Sequence, residues 1–201
     1  MMSPQSEVHS VALPPTTEYS RQERELLLQL AHRSIEAALE GRTLDLTAPT
    51  AHLEEMRGAF TTLHLQGRLR GCIGYVVPTH SLYRTVADTA QAAAFDDPRF
   101  RPVTVEEAPH LAVEISVLSP PQPIRPEDVV PGVHGLIVSQ GGRRGLLLPQ
   151  VPVEWHWDHD TFLSQTCLKA GLPSDAWLQG IDLQAFTAEV FGDETAVPSA
   201  E

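Results

Sequence analysis

Apolar residues along the chain change period several times, and the changes mark out its elements. After Ser20-Arg-Gln-Glu23, the residues Leu27, Leu30, Ala31, Ile35 and Ala38 recur every three or four positions until Gly41. That spacing predicts a helix over about 21–40, with Ser20 and Glu23 placed to form a capping box. Residues 59–65 and 69–77 read as strands, and Gly67 supplies the turn of a hairpin between them. Leu82, Val86, Ala90 and Ala93 restore a helical period, which ends before Asp96-Asp97-Pro98.

From Leu111 to Leu118 the pattern alternates strictly. Val113, Ile115 and Val117 take one face, and Glu114 and Ser116 take the other. A proline-rich connector over 120–131 leads to a second hairpin around Gln140-Gly-Gly-Arg143. Asp158 or Asp160 can cap a helix running through Ala170, closed by Gly171 and Pro173. Residues 181–191 carry enough apolar side chains for a final strand. Hairpins mixed with helices predict an α+β fold: a largely antiparallel sheet flanked by helices, with a smaller subdomain. Residues 1–18 read as a flexible polar arm, 19–192 as the folded domain and 193–201 as a flexible tail.

Charge and cysteine content narrow the function classes. A formal net charge of −12 disfavours nucleic acid and anionic membrane as partners, because both reward dense Lys and Arg. Two distant cysteines, Cys72 and Cys167, form neither a disulfide framework nor a Cys-x-x-Cys knuckle. With no secretory leader and no apolar run long enough for a bilayer, a cytoplasmic location is expected. No Walker A loop, dinucleotide fingerprint or radical-cluster cysteine motif occurs, so no cofactor is expected.

The chemistry concentrates in Leu69-Arg-Gly-Cys-Ile-Gly-Tyr75. On a regular strand Arg68, Arg70 and Cys72 share one face, while Leu69, Gly71 and Ile73 share the other. A guanidinium beside a thiol favours the thiolate. Gly71 and Gly74 allow another chain or a ligand close to the backbone. A strand cysteine is also commonly a small buried hydrophobe. His64, His134, His156 and His159 are candidate proton acceptors for Cys72, and Glu114 is a candidate general base sharing its face with Ser116. A metal held by Cys72 and histidines is a third possibility, but no closed ligand motif is present and no metal is expected. Cys167 falls on the apolar side of its helix and reads as core.

These segments resemble the AMMECR1 family. The resemblance rests on LRGCIGY at 69–75, AAFDDPRF at 93–100, VEISVLSPP at 113–121 and GVHGLIV at 132–138. GLLLPQV at 145–151 and FLSQTCLKAGLP at 162–173 extend it to about residues 20–192. Within the family, the segments look most like the bacterial branch called AmmeMemoRadiSam system protein A. The resemblance implies an α/β fold with a cleft lined by Arg70–Gly74, and association with Memo-like and radical SAM proteins. It names no settled reaction. The expected assignment is Cys72, His134 and Glu114 as catalytic groups. Arg70, Gly71, Ile73, Gly74 and Ser116 would bind an anionic substrate or, in a noncatalytic adaptor, a partner peptide.

Overall fold

The computed structural model describes residues 17–193. Most of the expected arm and tail, residues 1–16 and 194–201, lies outside the described residues. At their inner ends the chain is fixed. The Glu18 N–H donates to the Glu189 carboxylate at 2.6 Å, and Asp193 accepts from the Val113 N–H at 2.8 Å.

Two four-stranded antiparallel sheets make up the fold, an α+β arrangement. The first contains β1 (Ala59–Leu65), β2 (Arg68–Tyr75), β3 (Leu111–Leu118) and β8 (Ala188–Gly192), in the order β2-β1-β3-β8. The second contains β4 (Gln122–Pro123), β5 (Gly135–Gln140), β6 (Arg143–Leu147) and β7 (Asp182–Phe186), in the order β4-β7-β5-β6.

Helices α1 (Arg21–Leu39) and α2 (Leu82–Phe95) cover the first sheet. The capping box starts α1: Ser20 Oγ accepts from the Glu23 N–H at 3.2 Å, and Glu23 accepts from the Ser20 N–H at 3.0 Å. Leu27, Leu30 and Ile35 of α1 bury against Leu63, Val113 and Ile115, which are spaced two apart on their strands. On the second sheet, α4 (His159–Lys169) starts at Asp158 and buries Phe162, Leu163 and Cys167 against Leu136, Val138 and Leu183. A short helix α3 (Gln150–Glu154) precedes it; Pro149 and Pro152 gave no sequence signal strong enough to predict it.

The segment 181–191 is not one strand. It pairs with β5 up to Phe186, leaves at Thr187 and pairs with β3 from Ala188. Alternation alone does not reveal the change of sheet, because both stretches keep the same period. Between the sheets, Leu118, Ile137 and Phe186 form a third buried cluster, with Phe60, Leu146 and Leu148 against it.

Candidate functional site

The site is the face of the first sheet turned away from α1 and α2. Ala59, Thr61 and Leu63 of β1 are buried toward the helices, and the Thr61 and Thr89 hydroxyls meet at 2.8 Å. Phe60, Thr62 and His64 therefore point the other way. Strand register sets Cys72 opposite Thr62, and Thr62 opposite Glu114. His64 is paired with Ala112, which makes it the diagonal neighbour of Glu114. Thus Cys72, Thr62, Glu114 and His64 occupy one face of three adjacent strands.

The Thr62 hydroxyl donates to Cys72 Sγ at 3.3 Å. Glu114 is half-buried, and burial raises its carboxyl above the usual range while nearby His64 opposes the rise. Its side chain has no hydrogen-bond partner among the described residues. His64 Nδ1 is also buried without a partner among them. An uncompensated imidazole nitrogen and a carboxyl on one sheet face are costly to stability and typical of reactive surfaces.

Arg70 does not line up with Cys72. The register slips so that Leu63 faces Gly71 while His64 faces Leu69, leaving Arg70 as the extra residue of a bulge. Its guanidinium turns to Glu107, with Nε to Oε1 at 3.2 Å and Nη2 to Oε2 at 2.9 Å. Nη2 also donates to the Pro102 carbonyl at 3.3 Å. Glu107 sits below the usual carboxylate range, chiefly through the Arg70 hydrogen bonds.

The guanidinium that does meet Cys72 belongs to Arg99. β2 is an edge strand, so the Cys72 N–H and C=O point out of the sheet. Asp97 accepts from the Cys72 N–H at 2.9 Å, and Arg99 Nη2 donates to the Cys72 carbonyl at 3.4 Å. Arg99 and Asp97 pair with each other at 2.7 Å. The Asp97 side chain is 3% exposed, and the Arg99 bond holds its carboxyl far below the ordinary range. The Asp97-Pro-Arg99 turn therefore replaces the missing fifth strand at Cys72.

Gly71 and Gly74 admit the protein's own chain. A Cβ at Gly71 would stand 2.0 Å from the Ala93 carbonyl oxygen of α2, and one at Gly74 would stand 2.2 Å from the Phe60 ring. Ile73 packs toward the helices. Ser116 lies buried on the Glu114 face, opposite Phe60 and Val190. His134 is placed on β5's approach in the second sheet, where its Nδ1 accepts from the Val130 N–H at 3.1 Å. Its surroundings are Pro120, Ile124 and Phe186, without Cys72.

Thr62, Asp97 and Arg99 were not singled out from the sequence, and His64 was one histidine among four. Strand register identifies Thr62 and His64, and the fold-back of the turn after α2 brings Asp97 and Arg99 to Cys72. Cys167 is fully buried, and burial raises its thiol. Among the described residues, the metal-ligand types that converge are Glu18, His52 and Glu55. Arg57 already pairs there with both carboxylates, and Cys72 is not part of the group.

Comparisons with known proteins identify the family and a similar fold. The AMMECR1 family profile matches residues 28–191. A Thermococcus gammatolerans protein is 46% identical over 184 residues, covering 85% of this chain and 90% of that protein. A Methanothermobacter thermautotrophicus protein is 42% identical over 185 residues, covering 87% of this chain and 96% of that one. The crystal structure of the uncharacterized protein PH0010 from Pyrococcus horikoshii superposes with a TM-score of 0.72 at 44% identity, covering 85% of this chain and 91% of that one.

Proposed function

The chain belongs to the AMMECR1 family, and on that premise we propose that it is a cysteine-dependent enzyme, or the thiol-bearing accessory of one. Its site is the face holding Cys72, Thr62, His64 and Glu114. The observation that carries this reading is the convergence of a hydrogen-bonded thiol, an unpartnered imidazole nitrogen and a desolvated carboxyl on three neighbouring strands. In the step proposed, Cys72 Sγ adds to a carbonyl carbon of the substrate, the C=O π pair moves onto the oxygen, and the S–H proton passes to His64. Glu114 holds the imidazolium that results, as carboxylates do in Cys-His catalysis. Arg99, whose side chain is 54% exposed beside Cys72, is the cation at hand for an anionic group of the substrate. His64 replaces His134 as the proton acceptor in this reading, because it shares the sheet face with Cys72.

Two free cysteines suit a reducing, cytoplasmic compartment. The resemblance of these segments to AmmeMemoRadiSam system protein A supports work alongside Memo-like and radical SAM proteins. The rate of Cys72 alkylation by iodoacetamide against pH tests the chemistry. Wild type should react faster than a free model thiol, and His64→Ala should slow it and change the pH profile. Wild-type reactivity no higher than the model thiol, or an unchanged profile in His64→Ala, would sink the enzymatic reading.

A second reading is a noncatalytic adaptor that docks an anionic ligand or partner peptide. It is favoured by the exposed Arg99 at the sheet edge and by Arg70 being already committed to Glu107. Titration with a Memo-like partner would then show a loss in Arg99→Ala. Unchanged binding in that variant counts against docking.

A further inference from the structure

Arg99 is fixed by its neighbours before any substrate arrives. Its Nε and Nη2 donate to the two oxygens of Asp97 at 3.0 and 2.7 Å, and Nη2 also donates to the Cys72 carbonyl at 3.4 Å. The Phe100 ring centre lies 5.5 Å from the guanidinium carbon. Asp97 is held in turn by the Cys72 and Arg99 N–H groups, at 2.9 and 3.1 Å. A guanidinium carries its five N–H groups in one plane. Asp97 and the Cys72 carbonyl take the Nε and Nη2 side, and Nη1 has no partner among the described residues.

The open part of this pair is its cationic end, because the Arg99 side chain is 54% exposed and that of Asp97 only 3%. The Arg99 pKa is raised, chiefly by the Asp97 bond and further by Cys72, which puts the thiol within electrostatic reach of the guanidinium. The guanidinium also touches the backbone of the residue that carries the thiol. An anion on Nη1 and a carbon at Sγ therefore belong to one short molecule, a few bonds apart. Asp97 already offsets much of the Arg99 charge, so each negative charge added at Nη1 is answered only in part. One charge is tolerated there better than two, which favours a carboxylate over a phosphate dianion.

We propose that the substrate of this site is a short carbonyl compound bearing one carboxylate a few bonds from the attacked carbon, as in a 2-oxo acid, with Arg99 Nη1 holding the carboxylate. This rests on the reading of Cys72 as a nucleophile, and adds the charge and size of what it attacks.

Iodoacetate and iodoacetamide are the probes, applied to the full-length protein with Cys72 labelling followed by mass spectrometry. Both are attacked by the same thiolate, so the ratio of their rates reports on the reagent's charge alone. Divided by the same ratio for a free model thiol, the wild-type value should be about three to five, the scale of one half-exposed charge pair. That preference opposes the net charge of −12, which by itself repels iodoacetate. Arg99→Gln should bring the value to one or below, and Arg99→Lys, which keeps a cation, should retain a preference. In wild type, about 1 M sodium chloride should remove most of it. At equal ionic strength, acetate should slow alkylation by iodoacetamide more than inorganic phosphate does. The salt and competition measurements keep the test decisive if Arg99→Gln does not fold. A wild-type value of one or below, an unchanged value in Arg99→Gln, or stronger protection by phosphate would each overturn the proposal. Rapid alkylation by both reagents without the preference would sink the carboxylate site alone. Slow alkylation by both would sink the nucleophilic reading of Cys72 and the proposal with it.

Discussion

The two sheets are built with the same devices and put to different use. Each has a hairpin closed by two residues of positive φ, Gln66-Gly67 in one and Gly141-Gly142 in the other. Each receives its helix through a glycine. Gly71 meets the Ala93 carbonyl, and Gly145 meets the Ala170 amide, where a Cβ would stand 2.4 Å away. Each also lays a phenylalanine ring over a glycine of the neighbouring strand, Phe60 over Gly74 and Phe186 over Gly135. Both rings join the cluster between the sheets. The difference is in what surrounds that cluster. The first sheet continues past Phe60 into Thr62, His64, Cys72 and Glu114, whereas the second continues past Ile137 into Gln184, Ser139 and Arg144, without a thiol or an imidazole. Shared packing devices thus account for the scaffold, and the grouping of thiol, imidazole and half-buried carboxyl on the first sheet marks the candidate site.

The largest expected effects test the shared part. Gly71→Ala and Gly145→Ala each drive a methyl into helix backbone, which cannot rotate away. Each should cost about 3 kcal/mol or more in thermal unfolding. A harmless Gly71→Ala would mean that α2 does not pack on β2 as described.

Asp97→Asn tests the clamp, which has no counterpart described in the second sheet. Neutralising the buried Asp97 carboxylate, which accepts from the Cys72 N–H and from the half-exposed Arg99, should cost about 1–3 kcal/mol at neutral pH. Asp97 has a depressed pKa in the fold, so its stabilisation is present above the ordinary carboxylate range and is lost as the pH falls through the folded value. The deficit of the variant should therefore shrink in acid. A deficit independent of pH would disconnect it from the charge.

The cysteines give a contrast that is nearly all or none. In the native protein iodoacetamide should label Cys72, which is partly exposed, and spare Cys167, buried on the inner face of α4. Mass spectrometry of the intact protein reads the count. Two labels at native pH would show that the second core opens.

Glu114→Gln should give the smallest effect and the opposite sign. The Glu114 pKa is raised in the fold, so the carboxyl favours folding fully only below its unfolded pKa, and this contribution is lost as pH rises through the folded value. The amide should leave stability nearly unchanged in acid and raise it modestly at pH 8, by differential scanning calorimetry. A loss at pH 8 would assign Glu114 a stabilising partner.

Local signals in the chain were strong enough to read most elements. The Ser20–Glu23 capping box, the Gln66-Gly67 turn, the alternation over 111–118 and the Asp158 cap all act within a few residues, so their physics is written locally. Of the candidate site, Cys72 and Glu114 are legible in the sequence as candidates, but their grouping with Thr62 and His64 is not. Arg70 leaves the row because of a bulge, which the strand glycines allow but do not place, and Arg99 reaches Cys72 only because the turn after α2 folds back along the edge of β2. His64 and His134 look alike in sequence, and only the order of the strands separates them.

The change of sheet at Thr187 has a consequence for how the molecule is made. The first sheet begins with residues 59–65 but is completed by Ala188–Gly192, after the whole second sheet has been threaded through. A ribosome releases the first three strands long before their fourth neighbour exists, and until then β3 is an open edge. The two halves are consequently not separable modules. A chain cut within 119–121 would leave its N-terminal part with an unfinished sheet, and the protein should gain its stability in one late, cooperative event.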